Sequence, residues 1–159
     1  MRPDRDEFVG RYGGIYEHSP WVAEEAFESA EGMSVEQLAD LFRACVNNAT
    51  HERKLALICA HPDLAGRAAI AGHLTAESTE EQKSAGIDQC TSAEFDRFQT
   101  LNRQYKEKFG FPFVMAVRNS SRQEILAAFE ARIGHDPEME FDTAIGEIHK
   151  IARMRLESL

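Results

Sequence analysis

Apolar positions recur along this chain at the three- and four-residue spacing of amphipathic helices, punctuated by residues that start and stop helices. Ser19-Pro20 should cap a segment with Trp21, Val22 and Phe27, and Ser34 with Gln37 has capping-box spacing ahead of Leu38, Leu41, Phe42 and Val46. Thr50 or His51 opens a helix running through Leu55 and Ile58 to His61, where Pro62 stops it. Ser78 with Glu81 again has capping-box spacing and opens another helix. Thr91 or Ser92 starts a long one through Phe95, Phe98, Leu101 and Tyr105 that ends at Gly110. Ser121 with Glu124 precedes Ile125, Leu126 and Phe129, with Gly134 at the end, and Asp136-Pro137 starts the last helix, which runs toward the C-terminus. No run alternates with the period of a half-buried strand, and there is no repeat or low-complexity linker. The pattern predicts an all-α fold, a single compact helical domain over 1–159 with about seven to nine helices.

One stretch departs from this rhythm. Phe109-Gly110-Phe111-Pro112-Phe113-Val114-Met115-Ala116-Val117 is apolar but broken by glycine and proline. Two readings stand. It is a buried connector whose aromatics fill the core, or an extended segment whose unpaired backbone groups meet a polar ligand.

Composition narrows the function classes. A chain of 159 residues can bury a sizeable core without disulfides or metals. Its three cysteines, Cys45, Cys59 and Cys90, are odd in number and far apart, which argues for a reducing compartment and against a disulfide framework or zinc knuckle. A formal net charge of -9 with no basic stripe opposes nucleic acid and anionic lipid as partners. No stretch approaches a membrane span, and acidic Asp4, Asp6 and Glu7 do not suit a signal peptide. The expectation is a soluble protein in which local arginines hold any anionic ligand.

Candidate chemistry gathers around His61-Pro62. Proline disfavours helical geometry in the residue before it, so His61 should stand at a helix terminus with its ring free to face a cleft. Acid-base work competes there with a favourable interaction at the helix C-terminus or simple core packing. No second histidine lies three or four residues away and there is no cysteine pair, so no metal is expected. Glu81 has a capping role from its spacing to Ser78, yet its second oxygen can serve a ligand or orient His61. Gln82 donates and accepts, which suits a urea-like partner. In the last helix, Phe141, Ala144, Ile145, Ile148, Ile151 and Ala152 form an apolar stripe onto which Arg155 falls, whereas Arg153 points elsewhere. Arg155 either snorkels to water or turns inward as a planar clamp for a carboxylate. Arg67, in a loop with no pattern to fix its direction, is the next candidate.

Several motifs together resemble the OHCU decarboxylase family of uric acid degradation. They are His61-Pro62-Asp63-Leu64-Ala65-Gly66; Leu74-Thr75-Ala76-Glu77-Ser78 with Glu81-Gln82 and Ala85-Gly86; Leu101-Asn102 with Tyr105; and Lys108-Phe109-Gly110-Phe111-Pro112-Phe113. The similarity runs from Tyr16-Glu17-His18-Ser19-Pro20-Trp21 to Ile151-Ala152-Arg153-Met154-Arg155-Leu156. It implies an all-helical, cofactor-free carboxy-lyase, usually a homodimer. Such an enzyme converts 2-oxo-4-hydroxy-4-carboxy-5-ureidoimidazoline (OHCU) to (S)-allantoin, the last step from urate to allantoin. By position the resemblance makes His61 the catalytic histidine and Glu81 the acid assisting it. Pro62, Ser78 and Gln82 become contacts to the ring and ureido group, Phe113, Val114, Met115, Ala116 and Val117 backbone contacts, and Arg155 the arginine near the carboxylate. Peroxisomal relatives end in Ser-Lys-Leu; this chain ends Glu157-Ser158-Leu159, which points to the cytoplasm. The alternatives are a cofactor-free lyase acting on a related ureido or imidazole acid and a non-catalytic helical interaction module.

Overall fold

A computed structural model describes residues 4–64 and 75–159. Among them are eight α-helices and no strand: α1 (Arg5–Tyr12), α2 (Trp21–Ala26), α3 (Val35–Asn47), α4 (His51–Cys59), α5 (Ala76–Ser84), α6 (Ser92–Phe109), α7 (Arg122–Arg132) and α8 (Pro137–Glu157). Short 3-10 turns follow α2 and α5, at Phe27–Ser29 and Ile87–Gln89. None of these helices is long and apolar enough to cross a membrane. Arg67 lies outside the described residues.

Local chemistry explains most of the boundaries. Ser34 with Gln37, Thr91 with Glu94 and Ser121 with Glu124 form reciprocal capping boxes that satisfy two orphan backbone donors at each start. Removing such a cap costs about 1 kcal/mol. Thr50 caps α4 and Asp136 accepts from Met139 N–H at the head of α8. Gly110, at φ +79°, ends α6 in a left-handed conformation that a side chain would strain, and turns the chain into the extended stretch beyond.

Four expectations need correction. Ser78 and Glu81 do not form a capping box: Thr75 is the cap, accepting from Ser78 N–H at 3.2 Å, so α5 begins earlier and Glu81 lies inside it. Ser19 does not cap α2, because its hydroxyl donates to Glu17 O at 2.9 Å. Helix α4 stops at Cys59 rather than His61, since proline forces its predecessor out of helical geometry. Helix α1, capped by Asp4, stands where no helix was expected; its one buried residue, Phe8, is too weak a periodic signal.

The chain forms two compact units, Met1–Ala60 with Ile148–Leu159, and His61–Glu147. Helix α8 is therefore shared between them. In the first unit Phe8 meets Phe27 and Phe42 at ring separations of 5.5 and 6.3 Å, and Val22, Ala26, Leu38, Val46 and Leu57 are buried. In the second unit Phe113 stacks on Phe129 at 3.9 Å, and Tyr105 meets both rings edge-on. Such aromatic pairs add about 0.5 to 1.5 kcal/mol beyond the area they bury.

Candidate active site

His61 heads the second unit. Its side chain is buried, and Pro62 and Asp63 behind it are half-buried. The connector that carries it is held from two helices. Gln82 of α5 donates from Nε2 to Asp63 O at 3.4 Å. From α6, Asn102 donates from Nδ2 to Leu64 O at 3.0 Å, and Lys106 reaches Asp63 Oδ2 at 2.6 Å.

Helix α5 differs from its neighbours in what it buries. The other amphipathic helices put leucine, isoleucine and phenylalanine inside, whereas α5 buries Ser78 and Gln82. These two lie four residues apart and so share a face, with half-buried Glu81 between them in sequence. A hydroxyl and an amide are costly to bury without polar partners. The structure thus brings His61, Pro62, Ser78 and Gln82 into one unit, with Gln82 bonded directly to the His61 connector.

The stretch from Phe113 to Val117 combines both sequence readings. Phe113, Val114 and Val117 are buried and the Phe113 ring is part of the aromatic core. Its backbone is partly taken by the protein itself: Arg132 donates to Val114 O at 2.7 Å, and Ala116 N–H donates to Glu147 Oε1 at 3.3 Å. Val114 O and Ala116 N–H are therefore taken up within the protein.

Arg132 is itself anchored. Its guanidinium lies 4.3 Å over the Phe113 ring and grips Glu140, with Nε 3.0 Å from Oε1 and the terminal nitrogen 2.8 Å from Oε2. Tyr105 Oη donates to Glu140 Oε2 at 2.5 Å, and His135 Nδ1 stands 3.1 Å from Oε1. Burial pushes the Glu140 carboxyl upward, but hydrogen bonds from Arg132 and Tyr105, the Arg132 charge and His135 outweigh it, so the group stays below its ordinary range. Burial, with the bond to Glu140, pushes the Tyr105 hydroxyl well up. A carboxylate satisfied this fully is a structural anchor.

Arg155 belongs to the first unit, on the buried stripe of α8 with Ile148, Ile151 and Ala152. It is 5% exposed, so it does not snorkel to water. It donates to Gly14 O at 3.2 Å and to Glu17 Oε2 at 3.1 Å, and Glu17 is buried too. Arg153 does point elsewhere, pairing with Glu157 on the surface. In the same unit His149 bridges Tyr16 Oη, 2.9 Å from Nδ1, and Asn47 Oδ1, 3.0 Å from Nε2. Because the asparagine oxygen only accepts, Nε2 carries the proton and Nδ1 accepts from the tyrosine. Burial, with the charges of Arg43 and Lys54, pushes His149 down to about 4.

Sequence reasoning passed over Lys106, Arg132, Glu140 and Glu147, and named Asn102 and Glu17 only within motifs, without a role. A polar residue on a buried face leaves no periodic signature, and only the Leu101-Asn102 and Tyr105 motif flagged that part of α6. Among the described residues no three His, Cys, Asp or Glu side chains gather where they could hold a metal ion.

The family model of OHCU decarboxylase matches residues 2–157. The 2-oxo-4-hydroxy-4-carboxy-5-ureidoimidazoline decarboxylase of Haloferax volcanii is 45% identical over 155 residues, covering 98% of this chain and 90% of that protein. A crystal structure of (S)-allantoin synthase superposes with a TM-score of 0.79 at 39% identity, over 98% of this chain and 50% of that one. An OHCU decarboxylase crystallised in the presence of (S)-allantoin shares the fold, with a TM-score of 0.73 at 21% identity over 96% of both chains. With a match over nearly its whole length and a relative this similar, the chain belongs to the OHCU decarboxylase family.

Proposed function

We propose that this protein decarboxylates OHCU to (S)-allantoin at the end of the urate-to-allantoin route, the chain 1–159 acting as one cofactor-free carboxy-lyase domain. The observation that carries the reading is the polar face of α5, Ser78 and Gln82, tied through Asp63 O to the connector bearing His61. A hydroxyl, an amide and an imidazole match a ligand rich in N–H and C=O groups.

The substrate supplies its own electron sink. As the bond to the carboxylate breaks, its electron pair forms a new ring double bond and displaces the adjacent carbon-nitrogen π pair onto nitrogen, and carbon dioxide leaves. That nitrogen takes up a proton, and a second proton is delivered to the ring carbon that bears the ureido group, while the hydroxyl proton departs as the carbonyl forms, a net uptake of one proton. His61 handles that transfer and Glu81 orients it. Pro62, Ser78 and Gln82 hold the ring and ureido group, as do backbone groups between Phe113 and Val117, and Arg155 clamps the carboxylate. Delivery to one face gives a single enantiomer. Arg155 already neutralises Glu17, and a guanidinium has five donors with which to serve a second carboxylate.

The reading extends to a homodimer in the cytoplasm with a small anionic substrate and no nucleic-acid or membrane partner. The net charge of -9 supports the last part, since it repels polyanions. The test is to generate OHCU from urate immediately before use and follow circular dichroism as (S)-allantoin forms. Formation of one enantiomer well above the spontaneous rate is expected; decay at the spontaneous rate to racemic product would sink the assignment.

A further inference from the structure

Two side chains one turn apart on α6 converge on the connector behind His61. Asn102 bonds Leu64 O at 3.0 Å and Lys106 bonds the Asp63 carboxylate at 2.6 Å, so adjacent connector residues are gripped by neighbours on one helix face. The Asn102 amide has a determined orientation. Turned the other way, its oxygen would face the Leu64 oxygen, acceptor against acceptor. In the orientation it adopts, Oδ1 is buried and, among the described residues, is without a hydrogen-bond partner, while the residue as a whole is 4% exposed.

That arrangement is a poor way to stabilise a fold. With no partner for it among the described residues, that buried oxygen costs about as much as the bond made by Nδ2 returns, so the two contributions offset. A leucine of similar size would pack there without the bare acceptor. What leucine cannot do is hold the Leu64 carbonyl. Pro62, with its φ fixed by the ring, couples His61 to Asp63 with little slack, so whatever fixes Asp63 and Leu64 also limits where the imidazole can point.

We propose that Asn102, seconded by Lys106, is a positioning residue for proton transfer, holding the Asp63–Leu64 connector so that the His61 ring stays aligned with the substrate. This rests on His61 being the proton-transfer group, as argued above. Small displacements of an aligned group cost turnover far more than they cost binding.

The experiment measures kcat and KM on freshly made OHCU for purified Asn102→Leu, Lys106→Met, Lys106→Arg and His61→Asn proteins, with melting temperatures in parallel. Asn102→Leu should lower kcat by about tenfold or more while KM stays within about threefold and melting shifts little. Lys106→Met, at a side chain half exposed, should lower kcat by about threefold, and Lys106→Arg should restore it. A folded Asn102→Leu protein with kcat near that of the unaltered chain overturns the inference, as does a rise in KM alone, which would make Asn102 a binding residue. If Asn102→Leu does not fold, Lys106→Met decides: a silent substitution overturns the inference and an arginine-rescued loss supports it. His61→Asn separates the two levels. Should it keep full turnover, the role of His61 itself fails; should it be inactive while Asn102→Leu is silent, only the positioning role fails.

Discussion

The two irregular stretches in the second unit are held by different chemistry. Residues 113–117 are pinned by a buried guanidinium on Val114 O, itself locked to Glu140, with the Phe113 ring stacked on Phe129. Residues 61–64 are held by two neutral amides, Gln82 and Asn102, and by a partly exposed ion pair from Lys106. Charge-assisted bonds in a low-dielectric interior are roughly twice as strong as neutral ones, and exposed ion pairs contribute little. The first stretch is therefore a fixed wall, integral to the core. The second is an arm on which the bonds from Gln82, Asn102 and Lys106 are individually modest, and it carries the group assigned to move protons. Stability and turnover should accordingly separate: substitutions at the wall unfold the protein, and substitutions at the arm misalign it.

The sharpest way to break that contrast is Arg132→Met. It strands Glu140 in the core and should cost about 3 to 5 kcal/mol in urea unfolding. A second substitution, Glu140→Met, removes the stranded charge and should recover much of that stability. Turnover should not recover with it, because Val114 O still lacks its donor. Recovery of both together would mean that the wall does not shape the site.

Acid should distinguish the two units. His149 has a folded value near 4 against an ordinary 6.5, so the unfolded chain binds the extra proton first. Its contribution is complete above about 6.5 and is lost as pH falls toward 4, at most about 3 kcal/mol in all once solvent screening is allowed for. Glu140, held below the ordinary carboxylate range, keeps its contribution down to about 4.5 and loses it only below that. Unfolding free energy measured from pH 7 to 4 should fall, and His149→Gln should flatten the slope. An unchanged slope in that variant would show that His149 is not the group responsible.

Arg155 extends the comparison to the first unit. Arg155→Lys keeps the charge and loses the planar fork, and should cost about 1 to 3 kcal/mol in kcat/KM, whereas surface Arg153→Lys should be nearly silent. Equal effects at both positions would leave Arg155 as the partner of Glu17 alone. The smallest expected change in stability belongs to Glu81→Gln. Because Thr75 rather than Ser78 caps α5, this substitution should alter stability by less than about 0.5 kcal/mol, while turnover falls by about tenfold or more. Equal, small losses in both would remove Glu81 from the chemistry.

What was legible in the chain follows from which physics is local. The boxes at Ser34 and Ser121 and the left-handed Gly110 are fixed by residues three or four apart, and each lies where the spacing put it. The choice between Thr91 and Ser92 fell to Thr91, whose box to Glu94 the sequence reading had not singled out. Of Thr75 and Ser78 at α5, only Ser78, with Glu81 three residues on, has capping-box spacing; the cap is Thr75, whose third residue on is Ser78, so the spacing pointed one turn too late. Helical phase placed Arg155 on the buried stripe of α8, but its partner Glu17 is 138 residues away and no local pattern reports it. Glu140 and Arg132 were invisible, and Asn102 came in only within a motif, for a related reason: burial of a polar side chain is decided by partners on other helices, and hydrophobic periodicity counts only apolar positions.

The central claim, that His61 moves the proton when OHCU loses carbon dioxide, is most directly tested by single-variant turnover. His61→Asn, purified and with an unchanged melting temperature, should form (S)-allantoin from fresh OHCU about 10² to 10⁴ times more slowly than the unaltered chain, followed by circular dichroism. Turnover within a few-fold of the unaltered protein would contradict the account and leave the acid-base group to be sought elsewhere.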